Sequence, residues 1–257
     1  MKFIILLEKY GANCNRLFQS LHFHSLSIEE NAKFINLSLL GNLKFDNNLF
    51  KSFDFIKNII LSSISKIISV FNDDQILVLS LNEKNYIKIV RGWSFRNIKL
   101  TKKHFMELSN LYKFKGKFSR EIILKIDYLN KQKKLGRYLV AIHIRKGDYI
   151  NWQKGKYFFE DNVYNNIIIK LKNILIENNL KPFFIVVSDQ KISENIKADF
   201  KSNGKWREDQ IILQNCDLLV GPPSTFTMWA SYISQKPLLN INSKGNIEYK
   251  NRFICYG

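Results

Sequence analysis

Cysteine is scarce in this chain of 257 residues, and its three copies, Cys14, Cys216 and Cys255, stand far apart. No Cys-x-x-Cys spacing occurs and no histidine lies close enough to complete a zinc site, so a structural zinc and a disulfide framework are both excluded, and a reducing compartment is expected. Long apolar runs are missing as well: nothing approaches the ~20 consecutive residues that cross a bilayer. The opening MKFIILL meets Glu8 and Lys9 too soon to serve as a secretory core, so it reads as a first strand in a protein expected to be cytoplasmic. Acidic residues are few, 22 against 40 Lys and Arg, which leaves a formal charge of +18. Nucleic-acid binders gather such charge into clusters that displace counterions from phosphates. Here it is mostly lysine and scattered, and its densest run, Lys131 to Lys134, reads as a solvated linker. No specific nucleic-acid partner is expected. What remains is a general attraction to anions such as a sugar nucleotide or an anionic membrane surface.

With 46% hydrophobic and 24% charged residues, the chain can bury a substantial core. Short β-branched runs alternate with longer amphipathic ones, the pattern of an α/β fold with parallel strands. In the first half, strands are expected over Phe3 to Leu7, Ala32 to Leu39, Ile76 to Leu81 and Tyr86 to Val90. Helices are expected over Arg16 to Ser25, Phe55 to Val70 and Lys102 to Tyr112, the first of them following a turn at Gly11 to Asn15. A basic connection over Lys113 to Arg137 then leads to a clearer second half. Its four apolar strands fall at Tyr138 to Ile144, Phe183 to Val187, Asp217 to Val220 and Pro237 to Ile241. Its best helix is Glu160 to Asn178, where Val163, Ile167, Leu171, Ile174 and Leu175 form one stripe. Two domains are expected, 1–136 and 137–257, in the manner of a two-domain cleft enzyme, with one doubly wound domain as the alternative.

Open α/β sheets bind ligands beyond the carboxyl ends of their strands. The first strand of the second half runs out into VAIHIRKGDY, which places His143, Arg145 and Lys146 at the strand tip and Gly147-Asp148-Tyr149 on the turn. A guanidinium there can grip a diphosphate through two parallel hydrogen bonds, Lys146 adds a point charge, and Gly147 permits close backbone approach. The plain structural alternative is that Arg145 and Asp148 tie down a loop while His143 is a core histidine. The next strand ends in Ser188-Asp189, a carboxylate able either to accept from guanine N1–H and its amine or to cap a helix. The third leads through Gly221-Pro222-Pro223 into Ser224-Thr225-Phe226 and a helix carrying Trp229. Ser224 can cap that helix or donate to a phosphate, and the backbone N–H groups of Thr225 and Phe226 bring the positive end of the helix dipole toward an anion.

In order, His143-x-Arg145-x-x-Asp148-Tyr149, Ser188-Asp189, Asp217 to Gly221, Ser224-Thr225-Phe226 and Trp229 resemble the motifs of the α-1,2-fucosyltransferases of glycosyltransferase family 11. The resemblance implies a GT-B-like pair of Rossmann-type domains with parallel sheets facing a cleft, GDP-fucose bound in the second domain and a glycan acceptor facing the first. It implies that Arg145 holds the diphosphate, Asp189 reads the guanine, and Ser224 with Thr225 touches the phosphates. Related protein O-fucosyltransferases and chitooligosaccharide fucosyltransferases share the arginine, so the donor is better supported than the linkage. Gly11-Ala12-Asn13-Cys14-Asn15-Arg16-Leu17-Phe18-Gln19 is similar to the family's glycine-rich turn, where Asn15 fits as a donor-side residue, while Cys14 replaces a Gly and Arg16 a Gln. Lys146 replaces a second Arg. Gly92 to Arg96 is similar to a segment of distant members, or is a turn built around a buried Trp.

No Asp-x-Asp pair occurs, so no metal or other cofactor is expected; Arg145, Lys146 and the helix start at Ser224 would meet the leaving charge. Inversion by direct displacement follows from the family. Asp148 and His143 are candidate bases, unless either only orients Arg145. A different GDP-sugar such as GDP-mannose, or a non-catalytic basic module for anionic glycan or nucleic acid, is the alternative reading. Oligomeric state has no signature in the sequence.

Overall fold

The computed structural model describes residues 2–6, 11–37, 76–82, 85–90, 93, 95–114, 118–202 and 205–252. The helix expected over Phe55 to Val70 lies outside them. The chain divides into two compact units, one built on Met1–Gly116 and one on Lys117–Cys255. Among the described residues no helix is long and apolar enough to cross a membrane.

The first unit contains β1 (Lys2–Leu6), α1 (Asn13–Glu29), β2 (Lys33–Asn36), β3 (Ile76–Asn82), β4 (Asn85–Val90), α2 (Ile98–Lys103) and α3 (Phe105–Tyr112). Its sheet has the order β2-β1-β4-β3. β1 runs parallel to both neighbours, but β3 is antiparallel to β4. Within the α/β pattern of mainly parallel strands this pair differs because residues 83 and 84 alone join it, and so short a connection permits only an antiparallel ladder. The single helix expected over Lys102 to Tyr112 breaks at His104 into α2 and α3. Asn97 caps α2, its side chain accepting from Leu100 N at 3.0 Å. Ile4, Leu6, Phe23 and Val90 form a buried cluster, closed by Phe23 stacked on Phe95 at 4.6 Å.

Two histidines of α1 are drawn into this packing. His22 accepts at Nδ1 from the backbone N–H of Asn97 at 3.1 Å. His24 stacks on Phe34 at 4.7 Å and lies 3.2 Å from the Tyr112 hydroxyl. Burial lowers both from the ordinary 6.5 to about 4, with the Arg96 charge adding to the effect at His22.

The second unit contains α4 (Arg120–Lys134), β5 (Arg137–Ile144), α5 (Asp161–Glu177), β6 (Lys181–Ser188), β7 (Phe200–Ser202), α6 (Trp206–Gln214), β8 (Leu218–Gly221), α7 (Thr225–Ser234), β9 (Leu238–Ile241) and β10 (Ile247–Arg252). The supposed linker is largely α4. Ser119 caps it by accepting from Ile122 N at 3.3 Å, and Ile122 and Leu129 are buried. Lys131, Lys133 and Lys134 are therefore not linker residues: they occupy its last turn, where cations favour the negative end of the helix dipole. Because α4 packs on β5, the unit begins at Lys117 rather than at 137. The short strands β7 and β10 had no expected counterpart.

β5 and β6 bury six consecutive residues each, as strands covered on both faces do. On one face Val140, Ile142 and Ile144 join Ile167, Ile168 and Leu171 of α5 in the main core. Strand order is β10-β9-β8-β5-β6-β7, parallel except for β10. The chain lays down β5, β6 and β7 in one direction, then crosses back to place β8 and β9 on the other side of β5. The order thus reverses between β5 and β8, the place where open sheets of this kind leave a crevice for ligands.

The buried histidines predict acid sensitivity. Between about pH 6.5 and pH 4 the unfolded chain takes up protons that folded His22 and His24 refuse, so stability is full above 6.5 and declines as pH falls. The slope is up to about 1.4 kcal/mol per pH unit for each histidine. Urea unfolding at pH 7 and pH 5 should show this loss, and a His22→Gln, His24→Gln variant should show less of it; equal losses in both proteins would contradict it.

Candidate active site at the strand switch point

β5 and β8 pair in parallel with Ile142 opposite Val220. Arg145 and Ser224 follow that pair within a few residues, so both loops leave the same edge of the sheet side by side. The hydroxyl of Tyr149, in a 3-10 turn over Asp148–Ile150, donates to the carbonyl of Pro223 and joins them directly. Burial pushes the Tyr149 phenol up to about 12, which keeps this donor protonated at neutral pH. Tyr149 stood in the sequence motif without a role; a contact 74 residues away along the chain has no local signature.

Arg145 is held from two sides. Its guanidinium lies 2.7 Å from Asp148 Oδ1 and 3.3 Å from Asp189 Oδ2, and packs 5.6 Å from the Tyr149 ring centre. Its Nε is buried without a hydrogen-bond partner. Asp189 also accepts from the backbone N–H of Lys146 at 2.9 Å, so one carboxylate at the β6 tip fixes both the backbone and the side chain of the β5 loop. Gly147 is what permits this: a Cβ there would sit 2.5 Å from Asp189 Oδ2. No helix starts at Asp189, which removes the helix-cap reading for it.

The remaining residues divide. The Lys146 ammonium turns to the start of α5, 3.2 Å from Asp161 Oδ1 and 4.0 Å from Glu160 Oε2, so its charge is already engaged; neither acid was marked in the sequence. Ser224 caps α7, as one of the two expectations had it, and its Oγ accepts from Phe226 N at 3.2 Å. The Phe226 N–H is therefore occupied, which leaves Thr225 as the first-turn donor of the two. The Phe226 ring lies 5.0 Å from that of His143. His143 is only 2% exposed, with Nδ1 unpartnered; burial and the Arg145 charge lower it from 6.5 to about 3. The imidazole is thus neutral and enclosed, a support beneath Phe226 rather than a base at the surface. Gly221 leaves room for it, since a Cβ there would meet His143 at 3.2 Å. Asn15 lies in the first turn of α1, in the first unit, beside Gly11, whose φ of +59° brings the turn against the Asn15 amide. No group of three His, Cys, Asp or Glu able to hold a metal ion occurs among the described residues.

What the arrangement can do is receive an anion: a forked cation and a helix entrance side by side at a switch point. Residues 78–249 match the family model for glycosyl transferase family 11. The chain belongs to that family. It is a glycosyltransferase. Among solved structures, this family 11 chain is similar to an arginine-to-lysine variant of Arabidopsis thaliana FUT1 in complex with GDP, at 13% identity over 93% of this chain and 70% of that one, with a TM-score of 0.56. It is also similar to NodZ α-1,6-fucosyltransferase soaked with GDP-fucose, at 11% identity over 96% and 98% and a TM-score of 0.48. The NodZ fucosyltransferase from Bradyrhizobium stands at 12% identity and a TM-score of 0.49. No curated protein matches the chain. The fold is α/β and GT-B-like, as expected from the sequence.

The packing at Gly147 yields a direct test. Gly147→Ala must push Asp189 away from the loop, at a cost of about 1–3 kcal/mol for overpacking. Urea unfolding of the purified protein should register that loss, and an unchanged midpoint would show that Gly147 and Asp189 are not in contact.

Proposed function

We propose that this glycosyltransferase moves L-fucose from GDP-β-L-fucose to a hydroxyl of a glycan acceptor in the cytoplasm, forming an α-1,2 linkage with inversion and without a metal. The observation that carries the reading is the convergence of Arg145 and the α7 entrance at the β5–β8 switch point, tied by Tyr149 and Pro223. The family assignment and the GDP complex of the Arabidopsis relative support a GDP-linked donor. The α-1,2 linkage rests on the motif resemblance.

In this mechanism Arg145 exchanges a carboxylate for the donor's diphosphate and keeps its second acid, Asp189, as an anchor. Each Asp189 oxygen retains a lone pair for guanine N1–H and the exocyclic amine. The acceptor oxygen attacks the anomeric carbon as the bond to the phosphate oxygen breaks. The electron pair leaves on GDP, where Arg145 and the backbone N–H of Thr225 stabilise it. Asp148, with its side chain 62% exposed, is the carboxylate that donor binding releases, and it accepts the proton from the acceptor hydroxyl. His143 acts as a positioning residue under Phe226. Lys146 holds the loop to Asp161 and contributes its charge at longer range. With Asp-x-Asp absent from the sequence, these fixed donors carry the role that a divalent ion has in other transferases.

Calorimetry with GDP-fucose, GDP-mannose, UDP-galactose and UDP-glucose in the presence of a chelator tests the proposal. GDP and GDP-fucose should bind, and Arg145→Ala should weaken them by about a hundredfold, the loss of two charge-assisted hydrogen bonds. Arg145→Lys should recover only part of that, because it keeps the charge and loses the fork. Preference for UDP, or a strict need for magnesium, would refute the proposal. Tighter binding of GDP-mannose would reassign the donor, and steeply salt-dependent polyanion binding without nucleotide selectivity would favour a binding module.

A further inference from the structure

The outward face of α4 takes no part in the site. Its inner face is ordinary core: Ile122 and Leu129 are buried, and the half-exposed Tyr128 ring stacks on Phe200 and meets Phe183 edge-on. The outer face is unusual in exposing large apolar side chains, with Ile123 48%, Leu124 59% and Leu135 61% exposed. Leu124, Tyr128, Lys131 and Leu135 fall on one line along the helix by their spacing. Phe118, just before the helix, is exposed as well.

Cations frame this stripe. Arg120, Lys131, Lys134 and Arg137 are exposed. Lys133 pairs with Asp217 at 3.2 Å and Lys125 with Glu121 at 2.6 Å, and Asp127 is the other acid on the helix. Arg120, Lys125, Lys131, Lys133, Lys134 and Arg137 thus stand against three carboxylates, Glu121, Asp127 and Asp217, so the helix and its flanks are net positive within a chain already at +18.

Exposed leucine and isoleucine beside lysine and arginine on one helix face match a bilayer interface, where apolar tips enter the acyl boundary while cations meet anionic headgroups. A soluble protein partner for such a face would need its own acidic surface. A second copy of the chain would bring the same cations against each other, which makes self-association the less favourable occupant.

We propose that the outer face of α4 docks the protein peripherally on anionic lipid bilayers, with Leu124 and Leu135 as apolar anchors and Lys131 and Lys134 as headgroup contacts. This does not rest on the identity of the donor sugar.

Co-sedimentation of the full chain with vesicles tests it, using phosphatidylcholine alone and phosphatidylcholine mixed with phosphatidylglycerol. Binding should need the anionic lipid and weaken with salt. Lys131→Glu with Lys134→Glu should lower partitioning by more than about tenfold. Leu124→Gln with Leu135→Gln should lower it severalfold, with the thermal midpoint unchanged in each case. A control, Lys172→Glu with Lys197→Glu, changes charge by the same amount on exposed residues of the second unit away from α4 and should retain most binding. No sedimentation with anionic vesicles overturns the proposal, as does an equal loss in the control, which would make the effect one of net charge. Self-association abolished by the leucine variants, without vesicle binding, would assign the face to a second copy instead.

Discussion

The site depends on one guanidinium held between two carboxylates at the centre of a parallel sheet. Asp189 is the fixed member, because it also grips the backbone of the loop it faces. Asp148 is the exposed member, on the same turn as Arg145 itself. A cation clamped in this way is held in one orientation, and its contact with the exposed partner is the more solvent-screened of the two. Preorganisation of this kind is what makes a forked cation effective at a developing charge.

The rest of the second unit can be understood as support for that geometry. Gly147 and Gly221 keep space where a methyl group would push Asp189 or His143 aside. Tyr149 bridges the loops after β5 and β8, the strands on either side of the topological reversal. Neutral His143 fills the space under Phe226 without adding a second positive charge beside Arg145. Lys146 is drawn off to the start of α5 for the same electrostatic benefit, pairing with an acid where the helix dipole already favours one.

Much of this was legible in the sequence wherever an apolar run ended in polar residues. The tips of β5 and β8 were located by that contrast alone, and α5 by its stripe. What could not be read was pairing between distant loops: Lys146 with Asp161, Asp189 with the Lys146 backbone, and Tyr149 with Pro223 have no local signal. Composition misled at Lys131 to Lys134, where lysines that resemble a linker end a helix whose buried residues, Ile122 and Leu129, are too few to announce it. The antiparallel β3–β4 pair was hidden by equally apolar strands, and only the brevity of the connection after Asn82 reveals it. His143 looks like chemistry in the sequence because it stands in a polar cluster, yet it lies within a strand buried on both faces and is enclosed there.

Hydrogen exchange of the backbone amides with and without GDP tests the central claim most directly, since it reports both loops in one experiment and needs no acceptor. The account predicts that GDP slows exchange together in the segments around Arg145 to Tyr149 and Pro223 to Thr227, with little change in α4. Protection confined to one of these loops, or falling elsewhere in the second unit, would contradict the convergence of Arg145 and the α7 entrance on one nucleotide.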